Sequence, residues 1–293
     1  MINITQLTKT YRGNVPALRG VDLNIGAEMF GLVGANGAGK TTLMRIIAGL
    51  LRPTGGEVIV AGHDVTTRRG KQAVKARLGY LPQELGLYPS LNAYEFLDYM
   101  AILKGIRDEA VRRREIESVL EKVRLTEVAG RKLKTYSGGM KRRIGIAQAL
   151  LGAPDLLIVD EPTSGLDPEE RVRLRNLLSD MAQNCTVILS THIVEDISQS
   201  CNDLAVMDHG RVIFRGSPRE LSAQARGHVW LIVTQGERPD DDLSVVSTLH
   251  VQNGIQYRVL GEPGPQWPGA IPAEPSLEDG YIWLMRQQKA LAG

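Results

Sequence analysis

Cysteine is nearly absent from this chain of 293 residues: Cys185 and Cys201 are the only two. That count excludes a disulfide framework and any cysteine-based metal spacing, and it suits a reducing cytoplasm. No apolar run approaches the roughly 20 residues that a membrane-spanning helix needs. If the protein works at a membrane, another chain must supply the spans. The opening residues, Met1-Ile2-Asn3-Ile4-Thr5, lack a basic stretch followed by an apolar one, so a secretory leader is not expected. A charge surplus is missing too. The 35 Lys and Arg against 33 Asp and Glu leave a net +2, too near neutral to argue for nucleic acid by bulk electrostatics. There is no internal repeat, no low-complexity tract and no sustained heptad.

What is present reads as an ordinary globular protein, 43% hydrophobic and 23% charged, long enough for a main domain and a smaller appendage. The charge is uneven: Arg112 to Arg114, Arg131 to Lys134 and Lys141 to Arg143 make the middle third basic. Residues 1–33 alternate as strands do, with Gly13-Asn14 and Gly20 as turns. A helix is expected from Lys40 to Leu51, ending before Pro53, and a strand over Glu57 to Ala61. From Pro89 to about Leu150 the spacing is helical, through Tyr94, Leu97, Met100 and Ala101 and then Val119, Leu120 and Val123. Asn92 with Glu95 is a capping pair. Apolar runs at 156–160 and 186–191 flank a helix from about Pro168 to Ala182, a strand–helix–strand unit that predicts a parallel sheet. Beyond about residue 218 the character changes. Trp230 to Val233 reads as a strand, Asn253-Gly254 as a hairpin turn, and Ser276 with Asp279 as the start of a last helix.

The chemistry concentrates in a few segments. Gly34-Ala35-Asn36-Gly37-Ala38-Gly39-Lys40-Thr41-Thr42 fits the phosphate-binding pattern G-x-x-x-x-G-K-[ST] between a strand and a helix. Its glycines let backbone N–H groups curl around phosphate oxygens at a helix N-terminus. Lys40 reaches the β- and γ-phosphates, Thr41 offers a hydroxyl to Mg²⁺, and Thr42 a phosphate contact. Asp160-Glu161 closes the 156–160 strand; adjacent carboxylates there are costly unless used. Asp160 is assigned to Mg²⁺ and Glu161 to the attacking water. Gln83, after Tyr80-Leu81-Pro82, presents a side-chain carbonyl suited to Mg²⁺ or that water. His192 follows strand 186–191, at the same sheet edge as Asp160 if the strands are parallel and within reach of a γ-phosphate. Tyr11 either stacks on a base or is an edge tyrosine. Ser137-Gly138-Gly139 opens a helix whose Lys141, Arg142 and Arg143 read as a solvated face.

In this order the residues resemble the ATP-binding subunit of ABC transporters over about residues 1–218. Tyr11 matches the family's adenine-stacking aromatic and Gly34–Thr42 the Walker A loop. Gln83 matches the Q-loop glutamine, and Tyr136–Met140 the signature motif. Leu156–Asp160 with Glu161 matches Walker B and its catalytic glutamate, Ser164–Asp167 the D-loop, and His192 the switch histidine. The family's usual signature is Leu-Ser-Gly-Gly-Gln; here it is Tyr-Ser-Gly-Gly-Met, so Met140 removes a polar side chain while Ser137, Gly138 and Gly139 remain.

The resemblance implies an α/β fold: a P-loop NTPase core with a mixed, largely parallel sheet, an N-terminal antiparallel portion and a helical subdomain at about 89–150. A small α+β appendage over 219–293 completes the expectation. It implies ATP and Mg²⁺ as ligands and ATP hydrolysis as the activity. It also implies a head-to-tail dimer, expected between identical chains, whose signature residues meet the partner's nucleotide. The expected partner is an integral membrane permease, and the expected place is the cytoplasmic face of the cell membrane. Tyr-Ser-Gly-Gly-Met-Lys-Arg-Arg and the Pro275–Asp279 ending are similar to the ABC-2 type branch that exports drugs, antibiotics, lipids or polysaccharides. The rival is a soluble ABC-type ATPase acting on nucleic acid or ribosomes. The single cassette and absent heptads count against it, as they do against a nucleic acid partner.

Overall fold

The alternating N-terminal residues form two long paired strands, β1 (Ile2–Tyr11) and β2 (Val15–Ile25), with Ile2 opposite Ile25 and Ile4 opposite Leu23. The computed structural model describes residues 1–26, 28–239 and 243–292. A buried five-residue strand, β3 (Met29–Val33), leads into α1 (Lys40–Ile47). The helix stops short of the expected Leu51. Gly49, at φ +65°, turns left-handed, and the N–H groups of Gly49 and Leu50 return to the carbonyls of Ile46 and Arg45. That is a Schellman ending, and it satisfies the last free carbonyls of the helix. Next come β4 (Gly55–Val60), β5 (His63–Asp64), α2 (Arg68–Ala76) and β6 (Leu78–Leu81).

The helical stretch resolves into α3 (Ala93–Leu103), α4 (Glu109–Lys122) and α5 (Gly138–Leu150). The Asn92–Glu95 capping box at the start of α3 is present. The core face of α3 differs from the expected stripe: Phe96, Leu97 and Ala101 are buried, whereas Tyr94 is exposed. Then follow β7 (Leu156–Asp160), α6 (Pro168–Ala182), β8 (Thr186–Thr191), α7 (Val194–Ser198), β9 (Asp203–Asp208) and β10 (Arg211–Gly216). Asp167 caps α6 and Pro168 takes its first position, where a missing N–H costs nothing.

Two sheets share these strands. One has the order β2-β1-β4-β5 and is antiparallel; the other has the order β10-β9-β3-β8-β7-β6. From β9 to β6 the second sheet is parallel, as the strand–helix–strand unit predicts. Leu43, Met44, Ile46 and Ile47 of α1 pack in one core with Leu7, Val21 and Val58 of the first sheet and with Ile158 and Ile188 of the second. In register, Val33 lies beside Thr191 and Ser190 beside Asp160. The ends of β3, β8 and β7 therefore open at one edge, where ligands bind in parallel α/β sheets.

The described residues divide into two compact units, Met1–Arg215 and Gly216–Gly293. The second contains α8 (Pro218–Ala223), β11 (Val229–Thr234), β12 (Ser244–Val251), β13 (Gly254–Leu260), β14 (Ile271–Pro272) and α9 (Leu277–Ala292). Its antiparallel sheet has the order β12-β13-β11-β14. The expected hairpin exists, with its turn one residue earlier, at Gln252-Asn253, since Val251 pairs with Gly254. Gly254 stands at φ +131° against the Thr234 carbonyl, a position with no room for a side chain. Among the described residues no helix is long and apolar enough to cross a membrane.

The Ser276–Asp279 pair caps α9 reciprocally: Asp279 accepts from the Ser276 N–H at 2.6 Å, and its own N–H donates to the Ser276 hydroxyl at 3.2 Å. Arg258 on β13 adds a guanidinium hydrogen bond at 2.6 Å to the fully buried carboxylate. Burial alone pushes the Asp279 carboxyl up. Arg258 and the Ser276 N–H and hydroxyl outweigh it and hold the group below the usual carboxylate range. Its contribution to stability is therefore complete above the ordinary carboxylate pKa of about 4 and is lost as pH falls through the lower folded value. Asp279→Ala strands the guanidinium and removes the cap. We expect it to destabilise residues 216–293 by about 3 kcal/mol, read by calorimetry at neutral pH, with the deficit shrinking in acid.

Candidate functional site

The loop between β3 and α1 surrounds a cavity of about 300 Å³ lined by residues 36–42, Ala17, Gln83 and Glu161. Its shape depends on Gly39, which caps α1 at φ +104° and lies so near the Ala17 carbonyl that a Cβ would come within 2.7 Å. Side chains are disfavoured at such a φ, and glycine there keeps the loop backbone close to the cavity at the helix N-terminus. Lys40, the first residue of α1, is only 5% exposed. Its ammonium donates to the Gly34 carbonyl at 2.6 Å and the Ala35 carbonyl at 3.2 Å, and stands 3.6 Å from Glu161 Oε1. Burial lowers its pKa, and the charges of Glu161 and Asp160 oppose that shift without cancelling it.

Asp160 ends β7 at 1% exposure. Neither of its carboxylate oxygens has a hydrogen-bond partner among the described residues. Burial raises its pKa, while the Thr41 and Ser190 hydroxyls and Lys40 favour the charged form. A buried carboxylate with two unpaired oxygens, beside the Thr41 and Ser190 hydroxyls, fits a hard cation that takes oxygen ligands.

Glu161 follows at φ +47°, a strained left-handed conformation for a side-chain-bearing residue. Its N–H bonds to the Ser190 carbonyl at 3.0 Å, so sheet pairing continues one residue past the strand while the chain turns. Glu161 Oε2 lies 2.6 Å from His192 Nδ1, which donates, since a carboxylate can only accept. The parallel register expected for His192 thus brings it to Glu161, with the imidazole partly open to solvent. The Thr163 hydroxyl donates to Asp196 at 2.6 Å, and Arg175 stands 3.8 Å from that carboxylate. This buried link ties the segment after Glu161 to the helix after His192.

Gln83 lines the cavity, and the Tyr11 hydroxyl lies 3.2 Å from the Thr42 hydroxyl at its mouth. Ser137, Gly138 and Gly139 are not among the cavity's residues. Ser137 caps α5, accepting the Met140 N–H at 3.2 Å, and both Ser137 and Gly138 are exposed. Gly139 packs against the Glu170 carboxylate, too close to admit a Cβ.

The expected solvated face of Lys141, Arg142 and Arg143 is not found; none of the three is exposed. Arg143 donates to the carbonyls of Val123 and Arg124, both at 3.1 Å, and pairs with Glu170 at 3.3 Å. Arg142 donates to the Gln83 carbonyl at 2.6 Å. The signal was available: at about 100° per residue, three consecutive helical side chains sweep too wide an arc to share one solvent face.

A family model described as ABC transporter matches residues 18–164. A linearmycin resistance ATP-binding protein of Bacillus subtilis is 36% identical over 264 residues, covering 89% of this chain and 83% of that protein. A daunorubicin/doxorubicin resistance ATP-binding protein of Streptomyces peucetius is 39% identical over 230 residues, covering 78% and 68%. Among solved structures, a dimeric ATP-binding cassette in a post-hydrolysis state with ADP and Pi superposes with a TM-score of 0.68 at 28% identity, over 74% of this chain and 98% of that one.

Asp160→Asn removes a buried charge whose oxygens have no hydrogen-bond partner among the described residues. The variant is expected to unfold at a higher temperature than the parent without ligand, by a margin worth about 1–2 kcal/mol. It should gain little further stability from ATP with Mg²⁺. Thermal denaturation with and without the nucleotide checks both halves.

Proposed function

Because the chain belongs to the ABC transporter family of ATP-binding proteins, we propose that it drives the export of a drug, antibiotic, lipid or polysaccharide through an ABC-2 type permease. The chain binds and hydrolyses ATP and powers transport. Support for the exporter branch comes from the two resistance proteins it resembles and from its Tyr-Ser-Gly-Gly-Met-Lys-Arg-Arg wording. Those relatives disfavour the rival ATPase of nucleic acid or ribosomes. The reading places the ATPase in the first compact unit, at the cytoplasmic face of the membrane, with residues 89–150 toward the permease. Residues beyond about 218 form an accessory α+β domain.

The observation that carries the mechanism is the pair Asp160-Glu161 facing Lys40 and His192 beside the loop cavity. Asp160, the Thr41 hydroxyl and the Gln83 side-chain carbonyl would hold Mg²⁺, which would supply positive charge to the transferred phosphoryl group. Lys40 exchanges the Gly34 and Ala35 carbonyls for phosphate oxygens. Gly34 and the residues from Asn36 to Thr42 of the same loop cradle the phosphates. Tyr11 stacks on the adenine. Glu161 takes the proton of the attacking water, and His192 holds that carboxylate in place.

Ser137, Gly138 and Gly139, which do not line this cavity, serve the nucleotide of a second, identical chain. Each ATP then lies between the loop of one copy and the Ser137 turn of the other. Met140 is compatible with this role, since the turn is built by its backbone N–H on Ser137 and not by its side chain.

Glu161→Gln is expected to keep ATP binding, to lose turnover by about 10²–10⁴-fold, and to accumulate as a dimer with ATP in light scattering. Turnover at the parent's rate would remove Glu161 from its role. Purification of the native membrane complex identifies the permease; a partner without membrane spans would overturn the transport assignment.

A further inference from the structure

Helix α5 carries two features one turn apart. Its first residues form the exposed Ser137–Gly138 turn, and Arg142 follows on the side turned toward Gln83. The Arg142 Nη1 donates to the Gln83 carbonyl at 2.6 Å and approaches the Pro82 carbonyl at 3.4 Å. Gln83 is also a wall of the loop cavity, together with Glu161. One side chain thus joins the segment lining this chain's own cavity to the helix that presents the separate turn. Burial disfavours the guanidinium's charge, and the nearby charges of Asp160 and Glu161 favour it, so Arg142 lies within the electrostatic reach of the cavity's acidic edge.

The neighbouring basic residue does different work. Arg143 fastens α5 to the end of α4 through the Val123 and Arg124 carbonyls and to α6 through Glu170. Neither contact touches the cavity wall. A guanidinium is planar, with donors fixed in a fork, so it transmits a displacement of its acceptor where a flexible ammonium would absorb it.

We propose that Arg142 is a positioning strut: it locks the Gln83 loop to the first turns of α5, so that occupation of a chain's own cavity sets the stance of the Ser137 turn it offers to the partner's nucleotide. The inference rests on the shared-site dimer described above. It assigns coupling between the two ATP sites to one hydrogen-bonded side chain that need not touch nucleotide itself.

The test uses the full chain carrying Glu161→Gln, alone and combined with Arg142→Gln or Arg142→Lys. A fluorescent ATP analogue reports binding to the loop, and light scattering reports dimerisation with ATP and Mg²⁺. Arg142→Gln should bind the analogue as the parent does, which also shows it to be folded. The ATP concentration for half-maximal dimerisation should rise by about 5- to 150-fold, the span of an ordinary coupling between sites. Arg142→Lys, which keeps the charge but not the fork, should fall between, and it carries the test if Arg142→Gln does not fold. With Glu161 intact, turnover of the Arg142 variants should need a higher ATP concentration for its half-maximal rate, in the same order. Dimerisation equal to the parent overturns the strut. Loss of analogue binding together with dimerisation in Arg142→Lys also overturns it, since Arg142 then merely supports the fold. A Glu161→Gln parent that binds the analogue and stays monomeric with ATP overturns the shared-site reading, and the strut with it.

Discussion

Two adjacent carboxylates at the end of a strand buried on both faces set the terms for the rest of this site. Taking a carboxylate out of water is expensive unless something answers its charge. The structure answers the two differently. Glu161 receives Lys40 and His192, delivered by the loop after β3 and by the end of β8. Asp160 receives no hydrogen-bond partner among the described residues, only nearby hydroxyls and the field of Lys40. The parallel register that levels Leu32, Ser190 and Asp160 makes this unequal arrangement possible, and that register follows from the strand–helix–strand connection.

The same constraint explains the resting posture of Lys40. A buried ammonium with three donors needs acceptors, and it finds two in the carbonyls of its own loop. The charge of Lys40 is thus shared between backbone oxygens and Glu161. A phosphate must outcompete these contacts, and its advantage is the positive end of α1 beside it.

What could be read from residue order alone was whatever is encoded locally. The loop pattern, the apolar run that becomes β7, the Asn92–Glu95 and Ser276–Asp279 caps and the helix over 168–182 each depend on residues a few positions apart. What could not be read depends on rotamers and on distant pairings. The His192–Glu161 hydrogen bond needs the parallel sheet, the left-handed turn at 161 and one choice of χ angles together. Helix α2 went unread because only Gly70 and Val74 of its nine residues are buried, leaving almost no periodic signal amid its basic residues. Arg142 was misread because a run of like charges suggests solvent, whereas α5 is packed around most of its circumference, with Ile144, Ile146 and Ala147 all buried.

The left-handed backbone at Glu161 carries a consequence of its own. Such a conformation is the natural station of glycine, and a side chain there stores strain on the order of 1 kcal/mol or more. The Glu161 N–H is nonetheless pinned to the Ser190 carbonyl, so the direction in which the Cβ leaves the chain is dictated by the sheet and not by the side chain's own preferences. Homologous chains under selection for stability alone would drift toward glycine at this position. Persistence of a carboxylate there, in any set of related sequences, would be a record of chemistry prevailing over conformational ease.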